Sequence, residues 1–418
     1  MSPQTIFIIL VTIIVADFIL ESWLELLNMR NLSVSLPEEL KDIYKVEKYV
    51  LSQVYERANI RFGLITSTFN LILILGMFFL NGFAYVDRLA AGISSHPVLH
   101  PLIFFGILGL AFDLLNTPFA VYDTFVIEQR FGFNKTTPLL FITDKLKGWL
   151  LTVIIGGGLL ALIVWFYLLT TVYFWLWAWL LTSVFMVFMA FFYSSLIVPL
   201  FNKQQLLEDG ELKTQITQYA GQANFRIDKI YTIDGSKRST KANAYFSGMG
   251  RKKRIVLFDT LIKELSTGEI VAVLMHEIGH YRKKHIITGM ILSFIQTGIM
   301  LYILSLFVSQ PVLSQALGVP EAGFHIGLIA FGILFSPISI IIGLMMNVFS
   351  RKNEFQADEF AAGFGMSEGL IGALKKLSVN NLTNLTPHPL YVFFHYSHPT
   401  LLQRIRRLGR ATTLMAIR

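Results

Sequence analysis

The chain has 418 residues, of which 54% are hydrophobic and only 15% charged, with a net charge of +8 and no cysteine. That balance excludes an ordinary soluble globular protein. The lack of thiols excludes disulfides and thiolate chemistry, so any transition metal has to be held by histidines and carboxylates. The positive charge does not read as a nucleic-acid signal, because it is distributed as a membrane topology requires.

In chain order, seven apolar blocks are long enough to cross a hydrocarbon core, which takes about 20 helical residues. They are Thr5–Leu27, Gly63–Leu80, Leu99–Ile127, Trp149–Phe174, Trp175–Phe201, Ile286–Val308 and His325–Phe349. The first block has no preceding Lys or Arg and no small-residue cleavage site after it, so it reads as a retained anchor. Of the 35 Lys and Arg residues, all but Arg88 fall in the loops after blocks one, three and five or in the C-terminal tail. With seven crossings, the positive-inside rule then puts the N-terminus outside and those loops in the cytoplasm. The expected organisation is residues 1–201 with spans one to five, 202–285 as a hydrophilic lobe, 286–349 with spans six and seven, and 350–418 as a C-terminal cytoplasmic segment. The membrane is a bacterial inner membrane or that of the endoplasmic reticulum.

Within the lobe, Asn202–Gly221 reads as a helix. The runs KIYTID (Lys229–Asp234), NAYFSGM (Asn243–Met249) and RIVLFDT, separated by Gly and charged turns such as GRKKR, suggest a small β-meander. Ser266 and Glu269 then form a capping-box start for a helix with Ile270, Leu274 and Ile278 along one stripe, and the pattern predicts that it runs on towards the sixth span.

That helix carries His-Glu-x-x-His. His276 and His280 are four apart and share a face, so both imidazoles reach one metal ion, while Glu277 beside them reaches a water without being a ligand. Zinc lowers the pKa of a coordinated water towards neutrality, and a carboxylate base completes its activation. A third ligand is required. Past the seventh span, SRKNEFQADEFA offers Glu354 as that ligand and Asp358, four residues on, as acceptor for the second N–H of a ligand imidazole. Two crossings separate the motifs, so both lie on one membrane side. Asn243 and Ala244 sit on a predicted edge strand suited to pairing with an extended peptide. In HYSHPTLLQRIRRL, His398 is a candidate for oxyanion stabilisation and Arg404 for orienting carboxylates or a substrate terminus. A helix cap or a membrane-surface charge explains either residue equally well. His285, Lys283 and Lys284 read as interfacial charges, and His325 lies on the far side of the membrane.

With HEIGH before the sixth span, SRKNEFQADEFA after the seventh, SKRSTKANAYFSG with KRIVLFDT upstream and HYSHPTLLQR near the end, the whole chain resembles the CAAX prenyl protease 1 family of integral-membrane zinc metalloproteases. Tyr281, where a Trp often follows the motif, and the short loop Ser309–Phe324 are departures. The resemblance implies seven transmembrane helices forming a barrel around a hydrated chamber, with a cytoplasmic gluzincin-like zinc metalloprotease lobe. It implies one Zn2+ per chain on His276, His280 and Glu354, with Glu277 as catalytic base and support from Asp358, Asn243, His398 and Arg404. Asp358 is described in the family as a proton donor, whereas its spacing favours orienting a ligand. Asp17, Glu21 and Glu25 on the first span and Asp113, Asn116 and Asp123 on the third fit a water-lined interior, since carboxylates facing lipid are costly. The expected activity is cleavage near the C-terminus of membrane-tethered, prenylated CAAX-type polypeptides. Membrane lipid is the other partner and nucleic acid is not one. The alternative is a bacterial quality-control zinc protease acting on non-prenylated membrane proteins.

Overall fold

A computed structural model describes residues 1–33, 41, 45–247 and 254–416. Among the described residues, six helices are long and apolar enough to cross a membrane. The chain begins with α1 (Pro3–Asn31), α2 (Val46–Phe79), the short α3 (Gly82–Ile93) and α4 (Leu99–Tyr122), whose helical path continues to Glu128. A single 64-residue run, Pro138–Phe201, holds both the fourth and the fifth apolar blocks. It contains α5 (Pro138–Leu151), α6 (Gly158–Thr170), α7 (Phe174–Phe192) and α8 (Val198–Phe201). The run is not straight. Thr171 adopts φ 42° and ψ −87° after α6, and the rings of Phe166 and Trp177 lie 6.0 Å apart. Eleven residues of straight helix would separate their backbones by about 16 Å, so α6 and α7 fold back on each other.

The lobe follows as β1 (Gln204–Leu206), α9 (Glu211–Gln222), β2 (Lys229–Ile233), β3 (Ala244–Ser247), β4 (Arg254–Phe258), α10 (Asp259–Glu264) and α11 (Thr267–Arg282). Two expectations fail here. The predicted helix from Asn202 starts only at Glu211, because Gln204–Leu206 pairs antiparallel with β2. The sheet is not a meander: its order is β1-β2-β4-β3, with β2 and β4 parallel and β3 antiparallel to β4. The middle residues of β4, Ile255, Val256 and Leu257, are fully buried, so this strand takes the centre while β3 is left at the edge. Gly248, Met249 and the GRKKR turn before Arg254 lie outside the described residues.

The capping box forms: Ser266 N donates to Glu269 Oε2 at 2.8 Å, and Glu269 N donates to Ser266 Oγ. Ile270, Leu274 and Ile278 are buried against the sheet and α9, each contributing about 2 kcal/mol. The helix does not run on. Lys284 turns left-handed at φ 61°, and α12 (His285–Phe307) starts afresh. After α13 (Pro311–Ala316) comes α14 (Phe324–Ala362), an unbroken helix of 39 residues. At 1.5 Å per residue it is about 58 Å long, so it outruns a hydrocarbon core of about 30 Å and carries Glu354 and Asp358 beyond it. Helices α15 (Ser367–Asn380), α16 (Pro389–His395) and α17 (Leu401–Ala416) close the chain over α11 and α14.

One close approach locks the two motif-bearing helices together. A Cβ on Gly279 would lie 3.0 Å from Ala357 Cα and 3.1 Å from Phe360 Cβ, so α11 meets α14 where the side chain is absent. Gly279 shares a face with His276 three residues back and directly precedes His280, and Ala357 stands in the same relation to Glu354 and Asp358.

Candidate metal centre

This crossing presses two imidazoles against two carboxylates. His276 Nε2 lies 3.2 Å from His280 Nε2 and 3.4 Å from Glu354 Oε2, and His280 Nε2 is 3.2 Å from Glu354 Oε1. Both histidines turn the same ring nitrogen inward. Glu354 is buried, and its Oε2 accepts no hydrogen bond. Arg404 Nη1, 3.7 Å from that oxygen, is beyond hydrogen-bond reach, whereas a metal ion would satisfy all three groups.

The outer nitrogens are fixed from behind. His276 Nδ1 is 2.8 Å from Asp358 Oδ1, which holds its proton on the outer side and leaves Nε2 bare towards the centre. Asp358 in turn receives both arms of Arg404, Nε to Oδ2 at 2.9 Å and Nη2 to Oδ1 at 2.6 Å. Burial works against the charge on Arg404, but its bonds to Asp358 outweigh this and raise its pKa. For His276 burial also opposes a charge, yet the adjoining carboxylates of Asp358 and Glu354 prevail and push its pKa up to about 9. The two buried carboxylates thus draw positive charge to this spot, and a bound cation answers that demand.

A cavity of about 940 Å³ opens at the centre. Glu277 and His280 reach it from α11, and Asn243 and Ala244 from the β3 edge. His398 stands at the same wall, its ring well exposed and its Nε2 3.2 Å from Glu354 Oε1. Helix α16, just before it, is tied to α14 by Asn347, whose Nδ2 donates to the Phe394 carbonyl at 2.6 Å, and by Arg351, which donates to the Val392 carbonyl. Glu277 is half-buried and lies outside the metal-binding clusters found among the described residues. All nine residues singled out in the sequence therefore gather around one cavity or directly behind it. Two were missed, His285 and Gln356, which stand behind His280. The signal was slight: a Lys-Lys-His run in which the second Lys breaks the helix.

A second trio, Asp87, His100 and His325, also converges among the described residues. Here one oxygen, Asp87 Oδ1, sits 2.7 Å from His325 Nε2 and 2.9 Å from His100 Nε2, the distances of two hydrogen bonds into one acceptor. It lies at the other end of α14, 29 residues and about 43 Å from Glu354.

Comparison with known proteins agrees with this arrangement. Residues 25–203 match the family described as CAAX prenyl protease N-terminal, five membrane helices, and residues 206–412 match peptidase family M48. CAAX prenyl protease 1 of Saccharomyces cerevisiae is 35% identical over 94% of this chain and 93% of its own length. A homologue from Arabidopsis thaliana is 34% identical over 94% of each chain. The crystal structure of S. mikatae Ste24p superposes with a TM-score of 0.92 at 34% identity, covering 96% of this chain and 99% of that one.

Arg404→Ala should leave the buried Asp358 without its countercharge and with only the His276 hydrogen bond, at a cost of up to about 3–5 kcal/mol. The expected result is a lower melting temperature in detergent and loss of bound metal by elemental analysis. Arg404→Lys, which cannot grip both oxygens, should fall between the two, and metal retention at the wild-type level in Arg404→Ala would contradict the role. With its two-part family match, its polytopic fold and its His-His-Glu metal cluster, the chain belongs to the CAAX prenyl protease 1 family of M48 metalloendopeptidases.

Proposed function

We propose that the chain is a zinc endopeptidase that crosses the membrane seven times and cuts prenylated CAAX-type polypeptides near their C-terminus on the cytoplasmic side. The observation that carries this reading is the meeting of His276, His280 and Glu354 beside Glu277 on one cavity wall. Zinc supports the distances: a tetrahedral ion with bonds of about 2.0–2.2 Å holds its ligands roughly 3.3 Å apart. Here the two Nε2 atoms lie 3.2 Å apart, Glu354 Oε2 lies 3.4 Å from His276 Nε2 and Glu354 Oε1 lies 3.2 Å from His280 Nε2, so both carboxylate oxygens face the site.

When bound, zinc supplies Lewis acidity that polarises the scissile carbonyl and acidifies water. Glu277 takes the proton of the attacking water and later delivers it to the leaving amine. His398 donates a hydrogen bond to the developing oxyanion from the open side of the cavity. Asp358 acts by orienting His276 rather than by donating a proton, since its oxygens are already engaged by Arg404 and His276. The β3 edge, entered at Asn243 and Ala244, pairs with the extended substrate backbone.

The cavity also supports a lipidated substrate. Met189 of α7, Ile286 of α12, and Met346 and Phe349 of α14 line it, so an apolar wall built from membrane helices adjoins the polar centre. A polar interior between the spans is supported by α1: Asp17 bonds Ser336, Glu21 lies 3.3 Å from His395, and Glu25 accepts from Tyr391 at 3.1 Å. All three turn inward to α14 and α16. Asp113 likewise takes Lys145 and Trp149. Lipid then meets the outside of the helix ring and water its inside. A quality-control role on non-prenylated substrates would use the same metal core, but no feature of the cavity favours it.

The seventh crossing comes from the fold-back between α6 and α7, and the lobe faces the cytoplasm on the strength of the Lys and Arg distribution. The cysteine-free chain makes this directly testable. Ser95→Cys should react with an impermeant maleimide from the side opposite to Gln218→Cys, and same-side labelling would refute seven crossings. For the chemistry, matched CAAX peptides with and without a prenyl chain should be cleaved with a strong preference for the prenylated form. Glu277→Gln should abolish cleavage while retaining zinc, and wild-type turnover by that variant would remove Glu277 from its role.

A further inference from the structure

We infer that His285 and Gln356 form a hydrogen-bond relay that fixes the ring tautomer of His280 and so positions it as a metal ligand. The inference rests on the zinc reading. His285 Nδ1 lies 3.1 Å from His280 Nδ1, and His285 Nε2 lies 2.9 Å from Gln356 Oε1. An amide oxygen only accepts, so His285 carries its proton on Nε2 and presents a bare Nδ1. That bare nitrogen accepts the Nδ1–H of His280, which leaves His280 Nε2 unprotonated towards His276 and Glu354. Reversing the Gln356 amide would reverse the chain and put a proton on His280 Nε2, where it blocks coordination. Only one polarity suits a metal.

The arrangement mirrors that behind His276, with a different chemistry. There a carboxylate, Asp358, takes the outer N–H of the imidazole. Here a neutral pair does so, and no further negative charge is added beside Glu354. His285 is buried, and its ring centroid is 5.1 Å from that of His280. A straight helix would separate positions 280 and 285 by about 140° around its axis, since each residue turns about 100°. The left-handed Lys284, at φ 61°, removes that separation and returns His285 to the back of His280. A non-glycine residue held there is strained, and such strain gathers where geometry serves a site. His285 also lines the cavity, but it meets His280 at Nδ1, the nitrogen turned away from His276 and Glu354, so it is a positioning residue.

The test is zinc affinity by chelator competition on the purified full chain in detergent, with the visible absorption of the Co2+-loaded protein as a second readout. Losing the partner behind a metal-bound imidazole typically weakens metal binding about 10- to 100-fold, which is the loss expected for His285→Phe. His285→Asn returns an acceptor near the lost Nδ1 and should recover most of the affinity. Gln356→Leu should weaken binding, and Gln356→Glu, an obligate acceptor, should hold it at or above wild type. Wild-type affinity in both His285→Phe and Gln356→Leu overturns the inference, as does a loss in His285→Asn as large as in His285→Phe. Should His285→Phe fail to fold, Gln356→Leu decides alone. A wild-type chain that binds no stoichiometric zinc would instead overturn the zinc reading itself.

Discussion

The site exists because α11 and α14 touch backbone to backbone. At Gly279 a methyl group would already meet Ala357 Cα at 3.0 Å, so these helices are as close as side-chain-free packing allows. About one turn before this contact lie His276 on one helix and Glu354 on the other, and immediately after it His280 and Asp358. Any wider spacing moves the carboxylate out of reach of the imidazoles. The glycine inside the His-Glu-x-x-His motif is thus a packing requirement as much as the histidines are a chemical one.

The second requirement is length. Because α14 is continuous from Phe324 to Ala362, the third ligand rides on the same rigid rod that forms a membrane helix. At its opposite end His325 meets Asp87, which also pairs with His100, so α14 is tied there to α3 and α4. One element therefore sets the distance between the membrane and the centre. The break at Lys284 does the complementary work on the other side, letting α11 lie in the lobe while α12 enters the apolar layer. A water-consuming cluster can adjoin a greasy helix because the turn between them redirects the chain.

Much of this was legible in the residues. The i,i+4 spacing of His276 and His280, and of Glu354 and Asp358, holds in the structure because both pairs lie on regular helices whose caps and apolar stripes are plain. The acidic stripe of Asp17, Glu21 and Glu25 likewise signalled an inward face. What was not legible depended on long-range competition. Gln204–Leu206 has no strong strand pattern of its own and becomes a strand only by pairing with β2. The position of β4 between β2 and β3 follows from its burial on both faces, which local alternation does not reveal. His285 reads as an interfacial charge beside Lys283 and Lys284, and the left-handed Lys284 that turns it towards His280 carries no sequence signature. The reversal at Thr171 fell close to the expected boundary between two apolar blocks, yet the helical path runs through both as one stretch.

The account stands on two histidines from the lobe and one carboxylate from beyond the last span closing around a single ion. X-ray absorption at the zinc edge on the purified chain tests this most directly. The account predicts one zinc per chain, with two imidazole nitrogens and a carboxylate oxygen at about 2.0–2.2 Å, and a Glu354→Gln variant that loses the signal or the carboxylate shell. A chain without zinc, or a zinc whose shell is unchanged in Glu354→Gln, would contradict it.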